Sequence, residues 1–482
     1  MNKIQFIRTE EPLEVSHVYF LRPNAWLADT LVQICAHLGL VDQSLVHDFE
    51  AKQDETVVLY GPTRKVYLVG LGSKANILGS VRLFFHRFSP KLSADIGIYL
   101  GESEPVSELV AGCVAAQYQV GQHQSQSAVS GFLAAEVPTI RLARGTEEDI
   151  SRGIAWGETL TRVLHVVDAP PNFKTPVHLA EHIRLSALKF GYKAEVFDRA
   201  GCETVGLQAL LAVSKGSTLH PAHFVVLEYG EKGHGPTIGL VGKGVTFDTG
   251  GIGLKPGDNM HYMKSDMAGA AAVWGAVELV ARWKLPVHVV AALPLTENGV
   301  DGEAMKPGDV IRSYAGKTIE VIHTDAEGRL ILADGLAYLN RRYQPDYLVD
   351  LATLTGNCIQ ALGYHAAALF TTDDGLANEL LSIGHQVGER LWRMPMWEEY
   401  GDMMKSDIAD IKNLSAAPLA GAITAAKFLE VFTDQHSRWA HLDIAGVAFG
   451  DTPYAKMKSA TGWGIQLLTT WMERLSQNKS IE

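Results

Sequence analysis

The second two-thirds of the chain alternates short, fully apolar segments with helical patterns, and this alternation constrains the fold more than any other feature. The predicted buried strands are Phe224–Glu228, Thr237–Val241, Val287–Leu293 and Tyr347–Leu351, and the predicted helices are Met267–Trp283 and Leu330–Arg342. Strands that are apolar on both faces are typically buried between helices, as in α/β proteins. We therefore predict an α/β fold whose larger domain has a central mixed sheet flanked by helices.

The breaks in this pattern predict two domains, which the length of 482 residues can accommodate. The acidic run Glu147-Glu148-Asp149 favours a helix start, because carboxylates suit the positive end of a helix dipole. The run Asp168-Ala169-Pro170-Pro171 ends that helix, since proline lacks the backbone amide. We predict a small N-terminal α/β domain over 1–145, a bridging helix over 146–167 and a larger C-terminal domain over 168–482.

Composition excludes several classes of protein. The net charge of −12 argues against broad binding to nucleic acid or anionic membranes. Four cysteines without a CxxC pair argue against a disulfide framework or a thiolate zinc cluster. The N-terminus lacks the pattern of a secretory signal, and the apolar stretches are too short for a bilayer. We therefore expect a soluble cytoplasmic protein with no membrane partner.

Common catalytic motifs are absent or weak. The sequence contains neither HExxH nor GxSxG. The run Gly70-Leu71-Gly72-Ser73-Lys74-Ala75 follows a predicted strand and fits the loose GxGxxG/A dinucleotide pattern. A tight turn after a strand more often explains such glycines. A nucleotide-dependent enzyme therefore stays open as an alternative.

A cluster of carboxylates and cations lies between residues 243 and 329. Lys243 sits within an apolar, glycine-rich run that ends at Asp248, and burial there favours a neutral amine that can bind a metal. Lys255 follows in the next loop, and Asp266 stands at a predicted helix start. If these residues converge, Lys255 is placed to stabilise an oxyanion.

The segment after the predicted strand Thr318–Ile322 adds two more carboxylates. In an extended segment, Asp325 and Glu327 would point to the same side. Four converging carboxylates require compensating charge, which two divalent cations about 3.5–4 Å apart would supply. Arg329 is suited to hold an anion beside an attacking water. Taken alone, each carboxylate is more often a cap or a solvated loop residue, Lys243 more often reaches solvent and Arg329 more often forms an ion pair. The residues by themselves therefore leave the metal site open.

These segments resemble the leucyl aminopeptidase family of dinuclear metallopeptidases. The run HTDAEGRL at His323–Leu330 is close to that family's NTDAEGRL signature. Further segments resemble family blocks in the same order: Asp168–Asn172, Ala209–Val213, Glu297–Asn298, Pro307–Val310, Asp350–Gly356, Asp410–Asn413, Gly421–Ala426 and His441–Gly446. The resemblance covers most of the second domain, and it implies a C-terminal metallopeptidase catalytic domain.

The resemblance implies a role for each site residue. The positions that match the metal ligands are Lys243, Asp248, Asp266, Asp325 (by its backbone carbonyl as well) and Glu327, with Asp248 and Glu327 bridging. Lys255 matches the lysine that contacts the substrate carbonyl oxygen. Arg329 matches the arginine that holds a bicarbonate, the general base toward the attacking water. The positions that match the side-chain pocket are Met263, Thr353, Leu354 and Gly356, with Ala448 a weaker candidate.

The implied activity is that of a metal-dependent aminopeptidase. It would release leucine-like N-terminal residues from short peptides with a free N-terminus. The implied cofactors are two divalent cations, Mn²⁺ or Zn²⁺ with Mg²⁺ and Co²⁺ as alternatives, and a bicarbonate. The implied assembly is a homohexamer. Some family members bind DNA, so a DNA-binding or regulatory assembly of the same fold is the alternative function, although the net charge of −12 counts against it.

Two departures from the family pattern stand out. His323 replaces the usual asparagine before Thr324-Asp325 and brings a titratable imidazole to the site. The segment 299–303 differs from the usual short loop. Metal preference and pH optimum are therefore harder to predict than the reaction itself.

Overall fold

Two compact units, residues 1–161 and 162–482, make up the chain. The computed structural model describes residues 3–9, 15–24, 27–37, 48–61, 64–73, 76–121, 123–125, 130–233 and 235–478. The division between the units falls within the long helix Glu147–Asp168. This helix is the segment that we predict to bridge the domains over 1–145 and 168–482.

The first unit is an α/β layer built on one sheet. Within the described ranges its strands are β1 (Gln5–Arg8), β2 (Ser16–Leu21), β3 (Thr56–Tyr60), β4 (Lys65–Gly70), β5 (Asp95–Leu100) and β6 (Thr139–Leu142). They lie in the order β1-β6-β5-β2-β4-β3, and the pairs are parallel except for β3 with β4. The helices described here are α1 (Leu27–His37), α2 (Ile77–Phe88), α3 (Val106–Ala115) and most of α4 (Glu147–Asp168).

The glycine run after β4 forms a tight turn. Gly72 has a φ of +57°, and a Cβ at this position would lie 2.9 Å from the Gln53 backbone nitrogen. Backbone packing therefore explains this glycine without a ligand. Lys74 and Ala75, which complete the dinucleotide-like pattern, lie outside the described residues.

The second unit contains the larger sheet, which is mixed. Its strands are β7 (Lys193–Phe197), β8 (His223–Tyr229), β9 (Thr237–Gly242), β10 (Gly244–Asp248), β11 (His288–Asn298), β14 (Tyr347–Ala352), β15 (Ala367–Phe370), β16 (Leu391–Arg393) and β18 (Trp439–Asp443). The main order is β16-β15-β18-β14-β9-β11-β8-β7, and β10 pairs with the second half of β11. Short strands β12 (Val310–Arg312), β13 (Thr318–Glu320), β17 (Ile411–Lys412), β19 (Phe449–Gly450) and β20 (Ser459–Ala460) form two small sheets.

Helices cover both faces of this sheet. They are α5 (Pro176–Phe190), α6 (Arg199–Val205), α7 (Gln208–Ser214), α8 (Ala268–Trp283), α9 (Gly328–Tyr343), α10 (Gly356–Leu362), α11 (Asp374–Val387), α12 (Glu398–Asp402), α13 (Gly421–Glu430) and α14 (Ile465–Asn478). Helix α9 packs on β9 and β11 beside α7, whereas α8 packs on β9 and β14 and is covered by α14. The structure thus confirms the predicted α/β class, with a mixed sheet flanked by helices.

The order of the strands gathers their carboxyl ends at one edge of the sheet. Strands β11, β9, β14 and β18 are parallel neighbours in that order, and β10 runs parallel to the end of β11. In open α/β sheets, ligands bind outside the carboxyl ends of the strands. The segments that follow these strands therefore converge on one place, although they are distant in the sequence.

None of the helices in the described part of the chain combines the length and the apolar content that a membrane crossing requires.

Candidate metal centre

Lys243 lies at the carboxyl end of the central strand, between β9 and β10. It is 3% exposed, and its Nζ lies 2.8 Å from Asp266 Oδ2 and 2.9 Å from Glu327 Oε1. Its Nζ also donates a hydrogen bond to the carbonyl oxygen of Thr353, the residue that follows β14. Lys243 therefore links three segments that the sheet brings together.

Two close backbone approaches make room for this arrangement. A Cβ on Gly269, in the first turn of α8, would lie 2.2 Å from the Leu351 carbonyl oxygen, so α8 packs directly against β14. This packing holds Asp266, two residues before α8, beside the end of the sheet. At the start of α9, a Cβ on Gly328 would lie 2.6 Å from Lys243 Nζ. Contact with the Leu351 backbone therefore requires glycine at 269, whereas glycine at 328 leaves room for the end of the Lys243 side chain.

Asp248 ends β10 and is held from two sides. Its Oδ1 accepts hydrogen bonds from the Gly250 amide at 2.9 Å and from Asn298 Nδ2 at 2.8 Å. Its Oδ2 lies 2.8 Å from Lys255 Nζ, which also lies 2.5 Å from Asp325 Oδ1. The Lys255 side chain is 21% exposed, so this cation faces the open side of the cluster.

The segment that carries Asp325 and Glu327 is a turn, and our prediction of an extended segment is wrong. Strand β13 ends at Glu320, and the Ala326 amide donates to the His323 carbonyl oxygen at 3.3 Å. The turn is shaped from a distance by Asn413, because a side-chain amide can satisfy several backbone groups that no strand neighbour reaches.

Asn413 is fully buried and hydrogen-bonds around this turn. Its Oδ1 accepts from the Ile322 amide at 2.7 Å, and its Nδ2 donates to the His323 carbonyl oxygen at 2.7 Å. Despite the turn, one ligand oxygen from each of Asp248, Asp325 and Glu327 lies within 4.8 Å of the others. Three of the four predicted carboxylates thus form one compact cluster, and Asp266 joins it through Lys243.

The buried charges of the cluster set each other's protonation. Burial lowers the pKa of Lys243, but the carboxylates of Asp266, Glu327 and Asp248 outweigh this effect and raise it overall. Burial by itself therefore favours a neutral amine at Lys243, as we predict, whereas the surrounding carboxylates favour the ammonium form. Burial also raises the pKa of Glu327, with Asp248 adding to the shift, because neighbouring carboxylates repel.

The donor set fits divalent cations. Glu327 Oε2 is buried and has no hydrogen-bond partner, which is costly unless a cation is bound there. Carboxylate oxygens with one amine suit Zn²⁺, Mn²⁺, Mg²⁺ or Co²⁺. Cations among these carboxylates would supply the positive charge that the Lys243 ammonium otherwise supplies, and so favour its neutral, metal-binding form.

Arg329 lies in the first turn of α9, beneath the cluster. It is 4% exposed, its Nη1 donates to the Asn413 carbonyl oxygen at 2.8 Å, and its Nε is buried with no hydrogen-bond partner. Burial lowers the pKa of this guanidinium to about 10, against the opposing effect of Glu327 and Asp443. A buried guanidinium with an unused donor fits a small anion such as bicarbonate.

A cavity of about 530 Å³ opens onto the cluster. Its lining includes the predicted pocket residues Met263, Thr353, Leu354 and Gly356, whereas Ala445 lines it rather than Ala448. Thr353 Oγ1 donates to Asp266 Oδ1 at 2.7 Å, so the pocket wall also orients a predicted ligand.

Sequence reasoning missed several side chains of this site. Asp443 accepts hydrogen bonds from the Leu354 amide at 3.1 Å and from Thr355 Oγ1 at 2.6 Å, which fixes the pocket loop after β14. Other unpredicted residues line the cavity: Asn259, Tyr262, Ile359, Tyr364, Phe449, Asp451, Lys456, Met457 and Lys458. Asp443 and Asn413 stood in segments that resemble family blocks, but no spacing rule connects them to residues about 90 positions away.

The two departures noted in the sequence lie beside the cluster. The Asp325 amide donates to His323 Nδ1 at 3.1 Å, so the imidazole supports the turn that carries Asp325. In the 297–303 segment, Ser217 Oγ donates to Glu297 Oε2 at 2.6 Å, and the Thr218 amide donates to Asp301 Oδ2 at 3.3 Å. These bonds anchor the segment that presents Asn298 to Asp248.

Comparison with known proteins gives the same family assignment. The sequence model of the family described as "Cytosol aminopeptidase family, catalytic domain" matches residues 160–469. A probable cytosol aminopeptidase of Chlorobium limicola is 40% identical over 468 residues, covering 90% of this chain and 92% of the relative.

Solved structures extend the similarity to the fold. A leucine aminopeptidase variant from tomato superposes with a TM-score of 0.84 at 30% identity, covering 98% of this chain and 97% of that chain. The bottromycin maturation enzyme BotP in complex with Mn superposes with a TM-score of 0.82 at 31% identity, covering 96% of this chain and 100% of that chain. Sequence, coverage and fold agree, and this chain therefore belongs to the cytosol aminopeptidase family as a metal-dependent aminopeptidase, a hydrolase.

Proposed function

We propose that the protein releases leucine-like N-terminal residues from short peptides, using two divalent cations and a bicarbonate. The observation that carries this proposal is the convergence of Asp248, Asp325 and Glu327 within 4.8 Å at the wall of a cavity that Met263 also lines. The family assignment supports the reaction class. Met263 supports the leucine-like preference, because a methionine side chain adapts to unbranched and branched aliphatic groups.

The proposed metal ligands are the side chains of Lys243, Asp248, Asp266, Asp325 and Glu327. Bound cations would acidify a water molecule and polarise the scissile carbonyl. We propose Mn²⁺ or Zn²⁺, and the Mn complex of the similar BotP structure supports the first of these. Asp266, which accepts a hydrogen bond from Thr353 Oγ1, would also accept one from the free α-amine of the substrate.

Lys255 and Arg329 have separate roles in this proposal. Lys255 reaches the cluster from the open side, and its ammonium would stabilise negative charge that develops on the substrate carbonyl oxygen. Burial opposes this charge, but the carboxylates of Asp248, Glu327 and Asp325 outweigh burial and raise the pKa of Lys255 overall. Arg329, with its unused Nε donor, would hold the bicarbonate that serves as general base.

The experiment is hydrolysis of leucine p-nitroanilide by metal-stripped protein, with and without added Mn²⁺ or Zn²⁺. The control substrate is the same compound with its α-amine acetylated. We expect cleavage only of the free amine and only with metal. A folded, metal-loaded protein that cleaves neither substrate, or cleaves both equally, would contradict the proposal.

We also propose that the protein acts as a homohexamer in the cytoplasm. Support comes from the family resemblance, the names of the relatives and large apolar side chains on the described surface, among them Trp392 and Trp397, which are 64% and 65% exposed. Such side chains mark surfaces that bind other protein surfaces. Light scattering should give about six times the chain mass of 52.4 kDa.

A further inference from the structure

We propose that Lys456 and Lys458 form a carboxylate-binding subsite in the cavity of the metal centre. The subsite would favour peptides that carry a carboxylate shortly after the scissile bond. This inference rests on the proposed aminopeptidase function and deepens it, because it names a class of preferred substrate.

Lys456 and Lys458 share a cavity with the candidate metal ligands. Both line the cavity of about 530 Å³ that the metal-ligand candidates also line. They lie in the loop between β19 and β20, and these strands pair in antiparallel fashion. The base of the loop is fixed further, because the Ala460 amide donates to Asp168 Oδ1 at 2.8 Å. The loop therefore presents its cations from a defined base.

Neither ammonium group forms an ion pair with a carboxylate in the described part of the chain. Among the carboxylates that the structure describes, none lies within 4.0 Å of Lys456 Nζ or Lys458 Nζ. In the same cavity, Lys243 Nζ and Lys255 Nζ each lie within 3.0 Å of two carboxylates. The cavity therefore contains two lysines that pair with its acids and two lysines that do not, although Asp451 lines the same cavity beyond ion-pair distance of both.

The Lys458 ammonium group is positioned by the Tyr364 side chain. Its side chain is half-buried, and its Nζ lies 4.7 Å from the Tyr364 ring centroid and 3.4 Å from the Tyr364 hydroxyl oxygen. A cation over an aromatic ring is attracted by the ring's electron-rich face. The tyrosine thus orders the ammonium while leaving it free to pair with a carboxylate.

A short peptide substrate carries a carboxylate of its own. A peptide bound with its α-amine at the carboxylate cluster extends its remaining residues along the cavity. In a dipeptide or tripeptide, the C-terminal carboxylate is still close to the scissile bond, whereas in a longer peptide it lies outside the cavity. A side-chain carboxylate on the second residue offers the same chemistry, so the test must separate these two sources.

The experiment compares kcat/KM of the metal-loaded enzyme for matched substrates. The first pair is Leu-Ala and Leu-Ala-amide, and the second pair is Leu-Glu-amide and Leu-Gln-amide. The variants are Lys456→Gln, Lys458→Gln and the double variant, and Lys215→Gln removes an exposed lysine that does not line the cavity. Leucinamide, which has no carboxylate, reports whether the catalytic centre of each variant is intact.

A partly exposed ion pair predicts a preference of about 2- to 5-fold for each lysine. We expect the carboxylate member of at least one pair to be preferred by wild type and by Lys215→Gln. The double variant should lose this preference when each rate is divided by the same protein's rate for leucinamide. The pair that responds identifies the source of the carboxylate.

Equal rates within both pairs for wild type would overturn the proposal, as would a preference that survives in the double variant. Failure of the aminopeptidase function itself is distinguishable, because wild type would then cleave no member of either pair and no leucinamide.

Discussion

At the scale of single residues, burial distinguishes the proposed roles of the two lysines of the metal centre. The Lys243 side chain is 3% exposed and lies among carboxylates, whereas Lys255 is 21% exposed and reaches Asp248 and Asp325 from the open side. A buried amine can contact only the carboxylates of the cluster, whereas a partly exposed amine can also contact a substrate. The two lysines of one sequence cluster thus suit two different proposed roles, Lys243 that of a metal ligand and Lys255 that of an oxyanion stabiliser.

Lys255 gives the first prediction. Lys255→Met keeps most of the side-chain volume but removes the charge that would stabilise the developing oxyanion. We expect kcat to fall by about 10²–10³ while both cations stay bound. Steady-state kinetics and metal analysis of the same preparation check this. Loss of metal with recovery of full activity in excess ion would show instead that Lys255 is needed only to bind the cations.

Lys174 gives a prediction about pH. It is 2% exposed, and its Nζ donates to the Val167 carbonyl oxygen at 2.8 Å and the Lys264 carbonyl oxygen at 2.5 Å. Burial lowers its pKa from 10.5 to about 7, and nearby Lys264 adds to the shift. Between these two pH values the unfolded chain binds more protons at this residue than the folded chain, so folding becomes more favourable as pH rises.

We therefore expect Lys174 to contribute up to about 1.4 kcal/mol of unfolding free energy per pH unit between pH 7 and 10. Lys174→Met lacks this dependence. Urea unfolding of both proteins at pH 7, 8 and 9 measures it, since the free-energy difference, wild type minus variant, should increase with pH. A difference that stays constant over this range would show that Lys174 is protonated in the folded protein.

At the scale of elements, the packing of α8 against the sheet positions the ligand that precedes it. Gly269 approaches the Leu351 backbone so closely that no side chain fits between helix and strand. The Ala270 amide donates to the Lys243 carbonyl oxygen at 2.9 Å, which joins the helix start to the end of β9. The position of α8 therefore fixes the positions of Asp266 and Lys243.

Gly269→Ala tests this packing. The added methyl would lie 2.2 Å from the Leu351 carbonyl oxygen, so α8 must shift. We expect a loss of about 1–3 kcal/mol in unfolding free energy and weaker metal binding. Gly257→Ala is the matched control, because nothing lies within 4 Å of a Cβ there. Calorimetry and metal titration measure both effects, and a Gly269→Ala protein as stable as the control would contradict the packing argument.

At the scale of the whole molecule, the metal centre belongs to several segments at once. Its candidate ligands follow β9, end β10, precede α8 and precede α9. A cation that binds all of them stabilises the folded unit only, since the unfolded chain separates them. Folding of residues 162–482 and metal binding are therefore coupled.

Metal removal should consequently lower stability. We expect Mn²⁺ at 100 times its dissociation constant to add about 2.7 kcal/mol and to raise the unfolding temperature. Glu327→Gln removes a proposed bridging carboxylate and should lose most of this gain while binding metal weakly. Differential scanning calorimetry with EDTA and with Mn²⁺ measures the shift. Equal shifts in wild type and Glu327→Gln would mean that Glu327 does not bind the metal.

The sequence alone determined the α/β class and, to within one or two residues, most ends of the predicted elements, because apolar periodicity reports burial locally. It did not give the end of β11, which continues to Asn298, five residues beyond the predicted Leu293. It also brought Lys243, Asp248, Asp266, Asp325 and Glu327 together as candidates through short motifs, and their individual roles stay predictions. Only the tertiary structure decided how they meet. The order of the strands is a long-range property, so nothing in the local pattern could reveal that Asn413 shapes the turn at Asp325 or that Lys458 faces the same cavity. Periodicity encodes which residues are buried, whereas side-chain contacts across 90 residues depend on how the sheet is assembled.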